Sequence, residues 1–270
     1  VSTWLIGRPL PTADAPHQTI GKLIGLAVFS SDALSSVAYA TQEMLVILAI
    51  AGAASFGISI PLAIAIVFLL TILTLSYEQT IHAYPGGGGA YIVARDNLGE
   101  FPALVAASAL LTDYILTVAV SISASVAQIV SAFPGIYEYR VYIGLGMILF
   151  IMLINLRGVR EAGTAFAIPT FFFVAMMYIM VIVGFIRFFA GTLGLVELAP
   201  MDLMHEIEVP ATLSLFLILR AFSSGSAALT GVEAISNGIT AFKEPRSKNA
   251  GITLIWMAVI LGSLMLSVTF

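Results

Sequence analysis

The apolar positions of this chain fall into seven long runs separated by short polar punctuation. The runs cover 20–50, 60–83, 102–132, 141–155, 164–189, 211–241 and 250–270. A helix needs about 20 apolar residues to cross a bilayer, so the pattern predicts seven membrane-crossing helices, spans 1 to 7, with 141–155 the shortest. Span 1 departs from the pattern. Phe29-Ser30-Ser31-Asp32-Ala33-Leu34-Ser35-Ser36-Val37-Ala38-Tyr39-Ala40 puts four serines and an acid where lipid-facing chemistry favours leucine. A charge near the bilayer centre costs at least about 2.5–3.5 kcal/mol, so Asp32 reads as a functional residue.

Two other spans carry polar groups. In span 3, Asp113, Thr117, Ser121 and Ser125 recur every four residues and Gln128 follows three later. Those spacings share one helix face. The stripe is either an interhelical hydrogen-bond seam or one wall of a ligand site. In span 6, Phe222-Ser223-Ser224 followed by Leu229-Thr230-Gly231-Val232 echoes Phe29-Ser30-Ser31 followed by Leu34-Ser35-Ser36-Val37. Five crossings separate the two, so they run in opposite directions. Polar, Ser/Gly-rich segments at matching places of two inverted halves point to a transporter binding site. Both also carry an acid, Asp32 and Glu233. Serine and glycine weaken a helix, and backbone groups freed in lipid must be satisfied by protein, water or ligand. Breaks in spans 1 and 6 are therefore expected.

Composition agrees with a membrane protein: 60% of residues are hydrophobic and 10% charged, against roughly 25% charged in soluble domains. Charge placement predicts orientation. With the N-terminus inside, Arg8, Lys22, Arg95, Arg157, Arg160, Lys243, Arg246 and Lys248 all lie on the cytoplasmic side and only Arg140 in an outside loop, as the positive-inside rule requires. The loop 190–210 is acidic, with Glu197, Asp202, Glu206 and Glu208. There is no cysteine for thiolate chemistry. His17, His82 and His205 are scattered, and no nucleophile–base or metal motif suggests an enzyme. No basic stripe with interleaved aromatics suggests nucleic-acid binding. Glu78 and His82, four apart near the end of span 2, read as a hydrogen-bonded pair rather than a zinc site, which needs more ligands. Tyr84-Pro85-Gly86-Gly87-Gly88-Gly89 lacks the G-K-[ST] ending of a phosphate loop and reads as a tight turn into span 3.

Several of these motifs resemble a known superfamily. The polar segment of span 1, Pro85-Gly86-Gly87-Gly88-Gly89-Ala90-Tyr91 before span 3, Asn155-Leu156-Arg157-Gly158-Val159 before span 5, and Thr230-Gly231-Val232-Glu233-Ala234 followed by Lys243-Glu244-Pro245 are similar to the amino acid–polyamine–organocation superfamily. Within it, 29–40 and the Asp113 stripe resemble the KimA family of bacterial potassium importers, related to the KUP transporters. The resemblance implies an all-α, LeuT-type inverted-repeat fold with broken helices 1 and 6. It divides the chain into a cytoplasmic lead-in (1–19), a first five-helix repeat (20–190), an extracellular loop (191–210) and the first two helices of a second repeat (211–270). It implies potassium ligands at Asp32, Tyr39, Asp113, Thr117, Ser121, Thr230 and Glu233, with no cofactor and with potassium and a proton as the transported species. It also implies a homodimer in the bacterial inner membrane, with control by cyclic di-AMP through a C-terminal domain outside this chain.

The charge argument points the same way. Amino acid carriers of the superfamily bind the substrate carboxylate on bare amides of a glycine-rich break in helix 1. Here the segment has Asp32 and no glycine, so a cation fits better. An organic amine paired with Asp32, or an amino acid carried with a proton, is the alternative. One monovalent cation cannot neutralise three buried carboxylates, so at least one of Asp32, Asp113 and Glu233 is expected to hold a proton for part of the cycle.

Overall fold

A computed structural model describes residues 18–194 and 213–270. Arg8, His17 and most of the lead-in, and the acidic residues and His205 of the loop before span 6, lie outside the described residues.

The apolar runs become helices. Span 1 is α1 (Lys22–Ala49), followed by a 3-10 segment (Ala53–Ile58) that leads into α2 (Ser59–Ala83). Span 3 is α4 (Glu100–Ala132), span 4 is α5 (Arg140–Asn155), span 5 is α6 (Val159–Phe189) and span 7 is α9 (Arg246–Thr269). Six of the described helices are long and apolar enough to cross a membrane. Two results differ from the sequence pattern. The connector 84–99 contains a further helix, α3 (Gly89–Leu98), separated from α4 by Gly99 at φ +97°. Span 6 is not one helix. It comprises α7 (Leu215–Gly225), a 3-10 turn (Ser226–Leu229), an extended Thr230, Gly231 at φ +82° and the single turn α8 (Ala234–Asn237).

The break expected in span 1 does not form, and this corrects the prediction of two broken helices. α1 runs uninterrupted through 29–40. Neither glycine nor proline occurs from Leu26 to Ile50, so nothing there forces the backbone out of the helical well. The serines turn back on their own helix: Ser30 to the Leu26 carbonyl, Ser31 to Val28 (3.0 Å), and Ser35 and Ser36 both to Asp32 (2.7 and 3.1 Å). Such bonds satisfy the hydroxyls locally, and the helix continues through them although they compete mildly with its ladder. Span 6 carries Gly225 and Gly231 in the equivalent stretch and does unwind.

α1 is the centre of the bundle. It packs against α2, α6, α7 and α9, and in its most apolar window 44% of residues are buried, as in α9, against 6% in α5 and α6. The core joins Leu34, Val37, Met44 and Leu48 of α1 to Ile66 and Leu70 of α2 and to Leu254, Met257 and Leu261 of α9. Once in lipid, helices gain little from apolar burial alone, so close packing at small residues decides which faces meet. Gly163 of α6 is one such point. A Cβ there would lie 2.7 Å from the methyls of both Ile24 and Val28.

The start of α1 is also tied to the end of span 6. Ile20 donates to the Ala241 carbonyl (2.8 Å), Lys243 donates to the Ile20 carbonyl (3.0 Å), and Phe29 stacks on Phe242 at 5.3 Å. The Glu78–His82 pair forms as expected, with Nδ1 to Oε1 at 3.3 Å.

Gly163→Ala should lower the stability of the full-length protein by about 1–3 kcal/mol through overpacking. Gly184→Ala, which meets no atom within 4 Å, should leave it unchanged. Thermal unfolding in detergent measures both.

Candidate functional site

The break in span 6 exists where α1 presents its acid. Asp32 is half-buried, and its carboxylate rests on Gly231: a Cβ at that position would lie 2.7 Å from Asp32 Oδ2 and 3.1 Å from Cγ. Positive φ and close approach both demand glycine here. Through the break the backbone turns by i→i−3 bonds, Thr230 to Ala227 (3.1 Å), Val232 to Leu229 (3.4 Å) and Ala234 to Gly231 (3.1 Å). Thr230 precedes the seat, and Glu233 follows it by two residues. Glu233 is half-buried, and its Oε1 has no hydrogen-bond partner.

Asp32, Asp113 and Glu233 lie close enough to repel one another. None of them has a basic partner among the described residues. Arg220, the basic residue of span 6, is exposed and makes no ion pair with Glu233. Tyr77 and Tyr114 stand within the electrostatic reach of Glu233. Among the described residues no three acids or histidines converge tightly enough to cage one metal ion. The acids form a loose negative region rather than the dense carboxylate cage that calcium favours.

Beside this region, α1, α4 and α6 line an open cavity of about 840 Å³. Its polar lining is Ser31, Ser35, Tyr39 and Gln42 of α1, Ser121, Ser125 and Gln128 of α4, and Thr170 of α6. The Ser121 hydroxyl is buried without a partner. Tyr39 connects the two zones: it lines the cavity and its hydroxyl lies 3.1 Å from Ser36, which itself bonds the Asp32 carbonyl.

The α4 stripe divides between the zones. Steps of four residues drift about 40° around a helix of 3.6 residues per turn. Ser121, Ser125 and Gln128 face the cavity, Thr117 is buried, and Asp113 is exposed on a groove with Ser108, Thr112 and Leu116. Of the residues singled out in the sequence, Asp32, Thr230 and Glu233 gather at the break, with Asp113 in electrostatic contact, and Tyr39 and Ser121 meet at the cavity. The sequence reading passed over Thr170, Tyr77, Tyr114 and Asn237. Pro169, inside α6 and on the cavity wall, was the available signal for Thr170, because a proline within an apolar helix removes a backbone bond.

A bundle of long apolar helices around one interrupted span, with unpaired acids and a hydroxyl-lined cavity between helices, is the architecture of a membrane permease. The family model described as amino acid permease matches residues 26–270, and the chain belongs to that family of transporters. It is not an enzyme. It is similar to the potassium transporter KimA of Bacillus subtilis (strain 168), at 48% identity over 269 residues, which is 100% of this chain and 44% of that protein. The chain thus spans less than half the length of that relative.

Gly231→Ala should destabilise the protein by about 1–3 kcal/mol, since it combines backbone strain with a clash. Shortening Asp32 to serine in the same chain should return part of that loss, because the clash is with its carboxylate. Thermal unfolding of the two single variants and the double variant reads the coupling.

Proposed function

We propose that this chain is the front part of a potassium importer that moves the ion with a proton by alternating access. The observation that carries the reading is the Asp32 carboxylate seated on the unwound Gly231, between Thr230 and Glu233, whose Oε1 is buried without a hydrogen-bond partner, with no basic partner for either acid among the described residues. A region built this way attracts a cation and repels an anion. The unbroken α1 strengthens the choice, because its amides stay in the helical ladder and offer no bare N–H groups to a substrate carboxylate. The similarity to a protein named as a potassium transporter supports the same ion.

The proposed ligands are Asp32, Thr230 and Glu233 at the break, Asp113 and Thr117 on α4, and Tyr39 and Ser121 where the cavity meets them. Weakly hydrated monovalent ions suit such hydroxyl and carboxylate oxygens. The cavity is the compartment from which the ion reaches the acids. Three carboxylates exceed the charge of one potassium ion, and a proton on at least one of them reduces that excess. Releasing that proton with the ion is symport.

The proposed organisation places the N-terminus in the cytoplasm of a bacterium, 20–190 as the first repeat and 211–270 as the start of the inverted second. Dimer contacts and cyclic di-AMP control are assigned to segments outside this chain. A proton-coupled carrier of amino acids or organic amines is the second reading, favoured by the family's description as amino acid permease.

The test is rubidium uptake by full-length protein in proteoliposomes under an imposed pH gradient, with potassium and a panel of amines and amino acids as competitors. Potassium should compete, and an inward proton gradient should accelerate uptake. Asp32→Asn should reduce uptake by about ten-fold or more, as loss of a charged partner costs about 1.5–3 kcal/mol. Uptake that ignores the gradient would remove proton coupling, and competition by amines alone would favour the second reading.

A further inference from the structure

Asn237, which the transport argument does not use, is joined to three elements at once. Its backbone N–H donates to the Glu233 carbonyl at 3.1 Å, and the neighbouring Ser236 hydroxyl donates to the same carbonyl at 2.8 Å. Its side-chain Nδ2 donates to the Tyr114 hydroxyl at 2.6 Å. Its own carbonyl accepts from Gly88 of the loop between α2 and α3 at 3.4 Å.

That loop is shaped for the contact. Gly87, Gly88 and Gly89 all have positive φ. A Cβ at Gly87 would lie 2.9 Å from the Asn237 carbonyl oxygen, and one at Gly89 would overlap Asn237 Oδ1. Gly86, by contrast, has open space around it. Side chains at Gly87 and Gly89 would collide with the Asn237 carbonyl and side-chain amide, which gives the glycine run a packing reason that phosphate chemistry does not supply.

The residues at the two ends of the side-chain bond matter. Tyr114 follows Asp113 directly, and Asn237 is one helical turn past Glu233. The Asn237–Tyr114 bond therefore ties the turn that carries one acid to the turn that carries another, across two elements whose charges repel. A neutral amide and a phenol do this without adding charge to the region.

We propose that Asn237 is a positioning residue that sets the separation of Glu233 and Asp113, with the glycine loop as the wall that holds its amide toward Tyr114. The inference rests on the reading of these acids as an ion site, but the tie itself can be tested apart from it. Asn237 touches no ion. Its loss acts through the spacing of the carboxylates, and thereby on ion affinity rather than on the rate of the transport step.

The experiment uses the full-length protein and the variants Asn237→Ala, Tyr114→Phe, the double variant, Gly89→Ala and Gly86→Ala. Two readouts are taken. The first is the KM and maximal rate of rubidium uptake. The second is the rate at which a hydrophobic carbodiimide modifies Glu233, followed by mass spectrometry, which needs no transport. One hydrogen bond of this kind predicts a KM raised about five-fold in each single variant with the maximal rate little changed. The double variant should be no worse than either single one, because both remove the same bond. Carbodiimide modification should shift by the same factor in both single variants and in the double variant. Gly89→Ala should reproduce the effect, and Gly86→Ala should not. A Tyr114→Phe protein with unchanged KM and unchanged Glu233 modification overturns the proposal, as do single effects that multiply in the double variant. If the wild type fails to take up rubidium while the modification rates still shift together, the ion reading fails and the tie stands.

Discussion

A carboxylate cannot sit in the middle of a membrane helix without somewhere to put its charge. In this chain the place is a gap in another helix. Asp32 projects from an intact α1 onto Gly231, the one residue of the interrupted span whose missing side chain leaves room for an acid. The positive φ of Gly231, the i→i−3 turns around it and the position of Thr230 and Glu233 follow from that meeting. The surrounding bundle holds the meeting in place. α1 is packed on several sides, pinned at its start to 241–243 and stacked through Phe29 on Phe242.

The division of labour between the two helices has a physical logic. α1 stays continuous because no glycine or proline interrupts it from Leu26 to Ile50 and its serine hydroxyls are satisfied on carbonyls of the same helix, two of them on that of Asp32 itself. Span 6 leaves the helical path at Thr230 and Gly231. Cost also differs: breaking α1 would expose backbone groups in the most buried part of the bundle, where each unsatisfied group is expensive.

Much of this was legible in the sequence, and the exceptions have identifiable causes. The apolar runs placed the long helices because length and hydrophobicity alone decide what can span lipid. Asp32 and the Thr230–Glu233 segment stood out because charge and hydroxyls are costly there. The expected break in span 1 failed because serine can satisfy itself on its own helix, whereas glycine cannot, and the shared polarity of the two segments concealed that difference. The stripe from Asp113 to Gln128 looked like a single face, yet the drift of an α-helix carries Asp113 away from the cavity that Ser121, Ser125 and Gln128 line. Asn237 was invisible because its role depends on Tyr114, 123 residues away, and on three glycines whose conformations only the fold reveals. α3 was missed because ten mixed residues between two glycine signals read as a connector.

The central claim is that the break in span 6 exists to share a cation with Asp32. The most direct test is a structure of the full-length protein with rubidium in place of potassium, with the ion located by its anomalous scattering. The account predicts a peak bridging the Asp32 carboxylate and the Thr230–Glu233 segment, at distances longer than the about 2.3–2.6 Å of calcium, and loss of that peak in Asp32→Asn. An empty seat on Gly231, or a peak that persists unchanged in Asp32→Asn, would contradict it.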